Sequence, residues 1–424
     1  MNKINEILKE VLKNVNPDED DLEKINEFLK KFIGKLEKKL KSMKINAEVF
    51  VGGSFAKKTM IKKGDYDVDV FVRFEKKENN EKISDITEKA LKNIIKFTRI
   101  HGSRDYFKLE CGEGFFIELI PVVKIKSTKE AENITDLSYF HVNYIRRKIK
   151  TEKMIEEIRL AKAFCHANKC YGAESYINGF SGYALELLIC YYRNFLKFAK
   201  AMAKIKEKEV IDIEKHYKNK NEVVMNMNSA KLISPVILID PTYKQRNALA
   251  ALSEETFENF RKACKSFLKN PNAKAFEAKK MNIERIKENA KKKKLEFVHI
   301  ELKTDKQEGD VAGSKLIKFY KHIKEEISRA FIIKDTDFEY NNEKTAECFF
   351  VVKSKKEIIF TGPEIKDKES VKMFRKKHKR TFVKNKKIYA KEKISQNIKE
   401  YIFDWESKHN QRMLEMHILE LKFI

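Results

Sequence analysis

Two aspartates separated by one residue, set in an otherwise apolar run, constrain this chain more than any other feature. The run is Gly64-Asp65-Tyr66-Asp67-Val68-Asp69-Val70-Phe71-Val72. Its β-branched and aromatic residues predict a strand, in which residues two apart share a face at about 6.6 Å along the chain. Asp67 and Asp69 then stand on one face, while Val68, Val70 and Val72 face a core. Neighbouring carboxylates repel, and the usual remedy is a divalent cation. Two Mg²⁺ ions about 3.5 to 4 Å apart can be bridged by such a pair. One ion of such a site lowers the pKa of an attacking hydroxyl, and the other steadies a triphosphate and its leaving pyrophosphate.

A third ligand has to come from elsewhere. Glu118, in Phe115-Phe116-Ile117-Glu118-Leu119-Ile120-Pro121, is an acid embedded in an apolar strand, where burial without a partner is costly. Upstream, Gly52-Gly53-Ser54 supplies a complementary part. Glycine lets backbone approach closely, and backbone N–H groups with the Ser54 hydroxyl can hold phosphate at a following helix. The GxxxxGK[ST] spacing of a P-loop is absent. Taken singly, an Asp-x-Asp on a strand is more often an exposed edge and a Gly-Gly-Ser more often a turn. Their order is what carries weight: strand, Gly-Gly-Ser, short helix, strand with two acids, later strand with one. That order predicts a metal-dependent nucleotidyltransferase.

The length of 424 residues predicts about three domains. With 90 Lys and Arg against 64 Asp and Glu, the formal charge of +26 favours a polyanionic partner. Genome bias or a salt-bridged surface gives the same composition, so charge needs a motif beside it. Cysteines at 111, 165, 170, 190, 264 and 348 form no CxxC pair, so reduced and mostly buried thiols are expected. There is no signal-peptide core near the start and no run of eighteen apolar residues, which predicts a cytoplasmic protein with no membrane partner.

The expected fold class is α+β. Amphipathic helices are predicted over 3–14 and 19–43, strands over 47–52, 66–74, 106–111 and 115–125, and a helix near 81–98. Residues 147–268 read as helical, with 183–198 a buried helix. A lysine-rich stretch near 278–294 precedes strands at 296–303, 347–353 and 356–360 and helices at 311–329 and 367–378, and Trp405 with the final helix reads as core. The implied domains are a mixed-sheet catalytic head (1–146), a helical neck (147–268) and an α+β body and tail (269–424).

With these residues in view, the chain resembles the DNA polymerase β-like nucleotidyltransferases, and among them the archaeal, class I, CCA-adding tRNA nucleotidyltransferases. Ser54, Ala56, Thr59, Gly64, Asp65, Asp67 and Asp69 fall on the family pattern, with Lys57 where arginine is common. Phe140-His141 resembles the family's sugar-side or phosphate-side His segment, and Ile158-Arg159-Leu160-Ala161-Lys162, Tyr171-Gly172-Ala173-Glu174 and Gly179-Phe180-Ser181-Gly182-Tyr183 resemble the helical region that closes over the triphosphate. Ile239-Asp240-Pro241 with Arg246-Asn247 resembles the segment whose arginine reads the incoming base. Gly362-Pro363, Phe374, Lys377-His378 and 383–389 resemble the tRNA-gripping end. The match is weakest over 200–232 and 300–350. The third acid of the family is usually Asp, so Glu118 is a departure by one methylene.

The resemblance implies Asp67, Asp69 and Glu118 as catalytic metal ligands, and Gly53, Ser54, Lys57, His141, Lys162, Tyr171 and Arg246 as the nucleotide-binding set. It implies CTP, ATP and tRNA as substrates and Mg²⁺ as cofactor, and leaves the oligomeric state open, a homodimer being one option. Each of these residues also has an ordinary reading. Lys162 sits on an amphipathic helix where lysines are usually solvated, Tyr171 suits a helix-end staple, His141 a satisfied structural histidine, and Arg246 a surface arginine. Arg375, Lys376, Lys377, Lys379 and Arg380, with Phe382 and Tyr389 behind them, form a candidate RNA-binding run. Another ribonucleotidyltransferase, of poly(A) or oligoadenylate type, and an inactive RNA-binding protein are the competing readings.

Overall fold

A computed structural model describes all residues except Met1, Lys63, 77–81, Glu113, 279–280, Asn342, Lys356 and Ile394. The first residue of the expected 81–98 helix, the start of the strand at 356 and part of the lysine-rich stretch therefore lie outside the described residues. The fold is α+β, and its internal contacts divide it into two compact units, 1–279 and 280–424.

The first unit opens with α1 (Asn2–Val15) and α2 (Glu19–Ser42), split at Pro17. Asp18 precedes α2, and Glu19, Asp20 and Asp21 fill its first turn, where negative charge suits the helix dipole. A mixed sheet follows: β1 (Ala47–Val51), the single turn α3 (Gly53–Ala56), β2 (Tyr66–Phe74), α4 (Ile83–Leu91), β3 (Phe97–Ile100), β4 (Tyr106–Glu110) and β5 (Phe115–Val123). The strand order is β1-β2-β5-β4-β3, with β2 and β5 parallel and the other pairs antiparallel. Val68, Val70, Val72 and Phe74 pack with Ile25, Leu29, Phe32 and Leu36 of α2, so one face of β2 is core and the other is left for Asp67 and Asp69.

The helix expected to reach 98 ends at Leu91, because Asn93 takes a left-handed conformation (φ 67°) and the chain turns into β3. Beyond the sheet come α5 (Ser138–Lys148), α6 (Glu152–Ala167), α7 (Gly182–Tyr192) and α8 (Phe195–Lys204). The single helix expected over 183–198 is two. Arg193 adopts φ 73°, and the Asn194 side chain then caps α8 by accepting from the Lys197 N–H at 2.8 Å.

The central region also holds a small sheet that the helical reading did not include. It consists of β6 (Glu209–Asp212), β7 (Val236–Asp240) and β8 (Tyr243–Asn247), ordered β6-β7-β8, with the short helix α9 (Lys220–Asn226) between its first two strands. β7 is buried throughout and lies between Pro235 and Pro241, and periodicity alone cannot separate so short an apolar run from buried helix. α10 (Glu254–Lys269) closes the unit. Phe276 packs with Phe164, Phe195 and Phe267 at centroid distances of 5.3 to 5.4 Å, so this unit runs past residue 268.

The second unit begins with α11 (Ile283–Lys292), β9 (Glu296–Thr304), α12 (Asp310–Ala330), β10 (Phe331–Tyr340) and β11 (Thr345–Ser354). Next come β12 (Glu357–Glu364), α13 (Lys368–Lys377), β13 (Thr381–Lys384), β14 (Lys387–Lys393), α14 (Ile398–Glu415) and β15 (Ile418–Phe423). An antiparallel sheet, β10-β11-β9-β15, buries its apolar face against α12 and α14, with Trp405 in that core. A smaller sheet, β12-β14-β13, carries α13. Among the described residues no helix is long and apolar enough to cross a membrane.

Candidate active site

The parallel register of β2 and β5 pairs Asp67 with Phe116 and Asp69 with Glu118. All three acids are partly exposed and stand on the sheet face opposite the valines. Glu118 is in turn flanked by Lys108 of β4, whose ammonium lies 4.5 Å from the centre of the Phe116 ring.

The Gly-Gly pair is explained by close approach to this face. The Gly52 N–H donates to the Asp69 carbonyl at 2.8 Å, and a β-carbon on Gly52 would lie 2.4 Å from the Phe71 ring. Gly53 has φ 56°, and a β-carbon there would lie 1.6 Å from Asp69 Oδ2. Only a glycine leaves space for that carboxylate. Ser54 follows, half-buried, in a helix of one turn.

Asp67, Asp69 and Glu118 offer hard oxygen donors, the kind that Mg²⁺ takes, and the Asp69 carboxylate packs directly against Gly53. Among the described residues no three His, Cys, Asp or Glu side chains close around a point where a cation would sit. The arrangement is an open row on one face, with donors that fit a divalent ion.

Behind this row lies a buried ion network. Glu186 of α7 is fully buried and accepts from Lys57 Nζ at 2.6 Å, Lys162 Nζ at 2.9 Å and Thr59 Oγ1 at 2.6 Å. Lys162 also donates to the Thr59 hydroxyl and carbonyl, at 2.9 and 3.1 Å. Burial alone would raise the Glu186 pKa, but the charges of Lys162 and Lys57 and the donated hydrogen bonds outweigh it and hold the carboxyl at about 2. The Lys162 pKa is lowered as well, but by burial, which outweighs the raising pull of Glu186 and of Asp67. The Asp67 charge thus reaches the network. The Tyr171 hydroxyl is close by, since a β-carbon on Gly182 would lie 2.8 Å from it and 3.8 Å from Lys162 Nζ. Burial pushes that phenol well up, assisted by the charges of Glu186, Asp67, Glu174 and Asp69.

A second polar cluster centres on Asp240, the last residue of β7. Its Oδ1 accepts from the Tyr183 hydroxyl at 3.1 Å and from the Thr242 N–H and hydroxyl at 2.8 Å each. Its Oδ2 accepts from Arg246 Nη1 at 2.8 Å and lies 3.0 Å from His141 Nε2, which is poorly aligned for a hydrogen bond. Burial would raise the Asp240 carboxyl, but His141, Arg246 and the Thr242 N–H drive it below the usual range. His141 stacks on Tyr183 at 4.1 Å, and burial lowers its pKa against the raising effect of Asp240. Arg246 Nε is buried and has no hydrogen-bond partner among the described residues.

Lys57, His141, Lys162, Tyr171 and Arg246 therefore fall in these two clusters, and none of Lys57, Lys162 or Arg246 is a solvated surface cation. Five participants have no individual role in the sequence reading: Glu186, Thr59, Asp240, Tyr183 and Thr242. Glu186 carried a usable signal, being the sole acid in the run 183–198, the same kind of signal that singled out Glu118. Arg375, Lys376, Lys377, Lys379 and Arg380 lie in the second unit and are all exposed. His378, within the same run, is buried between Phe374 and Phe360, with Nδ1 2.7 Å from Glu392 Oε1. The run thus anchors through its histidine and presents its cations outward.

Comparison with known proteins agrees with this geometry. Residues 156–277 match the family model for the second domain of tRNA nucleotidyltransferases, and 1–139 match that of the Second Messenger Oligonucleotide or Dinucleotide Synthetase domain. The CCA-adding enzyme of Nanoarchaeum equitans is 41% identical over 242 residues, 57% of this chain and 59% of that one. That of Methanocaldococcus jannaschii is 29% identical over 409 residues, 91% and 87% of the two chains, and that of Sulfurisphaera tokodaii 32% over 286 residues, 66% and 63%. The match thus spans less than two thirds of the Nanoarchaeum and Sulfurisphaera relatives. Among solved structures, a cytoplasmic RNA terminal U-transferase superposes with TM-score 0.50 at 13% identity, covering 66% of this chain and all of that one. Cid1, an RNA terminal uridylyl transferase, gives 0.51 at 13% over 65% and 98%. Such identities speak for the fold alone. With a match to the second domain of tRNA nucleotidyltransferases over 156–277, and a relative aligned over 91% of its length, the chain is similar to the archaeal CCA-adding enzymes along most of its sequence.

Proposed function

We propose that this chain adds C, C and A to the 3′ end of tRNA without a template, using CTP and ATP and releasing pyrophosphate at each step. The observation that carries the reading is the row of Asp67, Asp69 and Glu118, with Asp69 packed on Gly53 and two buried lysines behind it. In this reading Asp67, Asp69 and Glu118 hold divalent cations, two Mg²⁺ ions. When bound there, such ions neutralise the triphosphate and make the tRNA 3′-hydroxyl a better nucleophile. The chain itself supplies the rest. Lys57, Lys162 and Tyr171 face the phosphates, Gly53 and Ser54 leave the close approach open, and Asp67 or Glu118 accepts the hydroxyl proton.

Base choice falls to Arg246, which Asp240 and the His141–Tyr183 stack hold in place. Its unpaired Nε–H suits an acceptor edge, as cytosine and adenine present and as the N–H groups of uracil and guanine do not. Residues 1–146 would serve as head, the region from 147 through Phe276 as neck and the second unit as RNA-holding body, with A-form RNA held by shape and backbone. The test is tRNA lacking its last three nucleotides, supplied with CTP alone and then with CTP and ATP. Two additions and then one more are expected; a long tail from ATP alone overturns the reading in favour of a poly(A)-type enzyme.

The exposed cations of the second unit give a separate prediction. Replacing Arg375, Lys376, Lys377, Lys379 and Arg380 by glutamine should weaken tRNA binding and flatten its salt dependence, by about 0.9 in log–log slope for each phosphate no longer neutralised. KM for CTP should not move. An unchanged salt slope, measured by filter binding, removes these five from the RNA interface.

A further inference from the structure

We infer that Glu186 is a positioning residue for the triphosphate end of the nucleotide, acting through Lys57 and Lys162. The inference rests on the nucleotidyl-transfer reading above. Glu186 comes from α7, Lys57 from the turn after α3 and Lys162 from α6, so one carboxylate ties the glycine-bearing turn of the head to two helices of the central region. Each of its oxygens is assigned to a different lysine, Oε2 to Lys57 and Oε1 to Lys162, with Thr59 also on Oε1. Both ammonium groups are thereby held at fixed positions on either side of one planar group.

Stability does not require such an arrangement, because well-packed apolar side chains of similar volume hold helices at least as well as a buried ion pair. Nor is the arrangement balanced. It sets two ammonium groups against one carboxylate, an excess of positive charge in a setting where Lys57 is 8% exposed and Lys162 2%. Asp67, a metal-ligand candidate, is close enough for its charge to act on Lys162. A phosphate chain neutralised in part by cations on the Asp67–Asp69 side would meet these two lysines on the other side. The role of Glu186 is to keep both lysines charged, extended and correctly spaced before the nucleotide arrives.

Steady-state kinetics on tRNA lacking its 3′-terminal nucleotides test this. Glu186→Gln keeps the volume and removes the charge. KM for CTP should rise about tenfold, the effect of losing a charge-assisted hydrogen bond, while KM for tRNA stays within about twofold. Glu186→Asp, which restores the charge one methylene short, should recover part of the loss. A merely structural role would lower the melting temperature and the active fraction and leave both KM values alone; that result overturns the inference. If Glu186→Gln does not fold, Thr59→Val carries the test, since it removes one hydroxyl donor and leaves both ion pairs. It should raise KM for CTP about threefold, and no change overturns the inference. An unmutated chain that transfers nothing sinks the nucleotidyl-transfer reading and this inference with it. An active chain whose KM for CTP is unmoved in Glu186→Gln sinks the inference alone.

Discussion

Asp67→Asn and Asp69→Asn should each lower kcat/KM by about a thousandfold or more, a loss of about 4 kcal/mol in transition-state stabilisation. Asparagine keeps the shape and the backbone, so only the charge is tested. Both side chains lie on the partly exposed face of β2 while Val68, Val70 and Val72 hold the strand in its core, so the fold should survive. Melting temperature should hold or rise slightly, because the substitution relieves repulsion between neighbouring carboxylates. Chelation of divalent ions should abolish the activity of the unmutated chain and added Mg²⁺ should restore it, with no such recovery in the variants. Near-normal turnover in the Asp67→Ala, Asp69→Ala double variant would remove these residues from the chemistry.

The second large effect is expected from a single methyl group. Gly53→Ala places a carbon where Asp69 Oδ2 now is, at 1.6 Å, and does so at φ 56°, a conformation that costs a side-chain-bearing residue about 1 to 2 kcal/mol. Neither contact can persist, so the carboxylate must swing away or the turn must move. A misplacement of about 1 Å in a reacting constellation costs about a hundredfold in rate. Gly64→Ala is the control. A β-carbon there meets nothing within 4 Å, so activity should stay near that of the unmutated chain. Equal losses in the two variants, measured as kcat under saturating CTP and tRNA, would show that Gly53 is not special.

The chemistry-bearing strands were readable in the sequence because they alternate. Tyr66–Phe74 sends its valines to one side and its aspartates to the other, and the strand found has the same bounds as the strand expected. Glu118 was readable as an acid in apolar surroundings, and its register against Asp69 is what places it in the site. Elements whose signal is short or non-periodic were not readable. β3 has four residues, β7 is apolar but for its last residue, and the break at Arg193 depends on a left-handed residue that composition does not favour. Glu186 escaped for a different reason. Its place as the sole acid in an apolar run marked it for burial, but its partners are distant in sequence, Lys57 by 129 positions and Lys162 by 24, so nothing local says which cations it meets.

The parallel pairing of β2 with β5 has a consequence for how the chain assembles. An antiparallel partner can be reached through a short hairpin, whereas a parallel one requires a long return path. Here that path holds α4, β3 and β4, and β4 must itself pair beside β5. The contact between Asp69 and Glu118 spans 49 positions in the chain, so its loop-closure entropy is met only once the intervening elements have formed. The row of acids is thus a late product of folding. On a chain emerging from the ribosome, Asp67 and Asp69 await their third neighbour until the strand bearing Glu118 has cleared the exit and docked, so in the role proposed for the row metal binding should arise abruptly with β5.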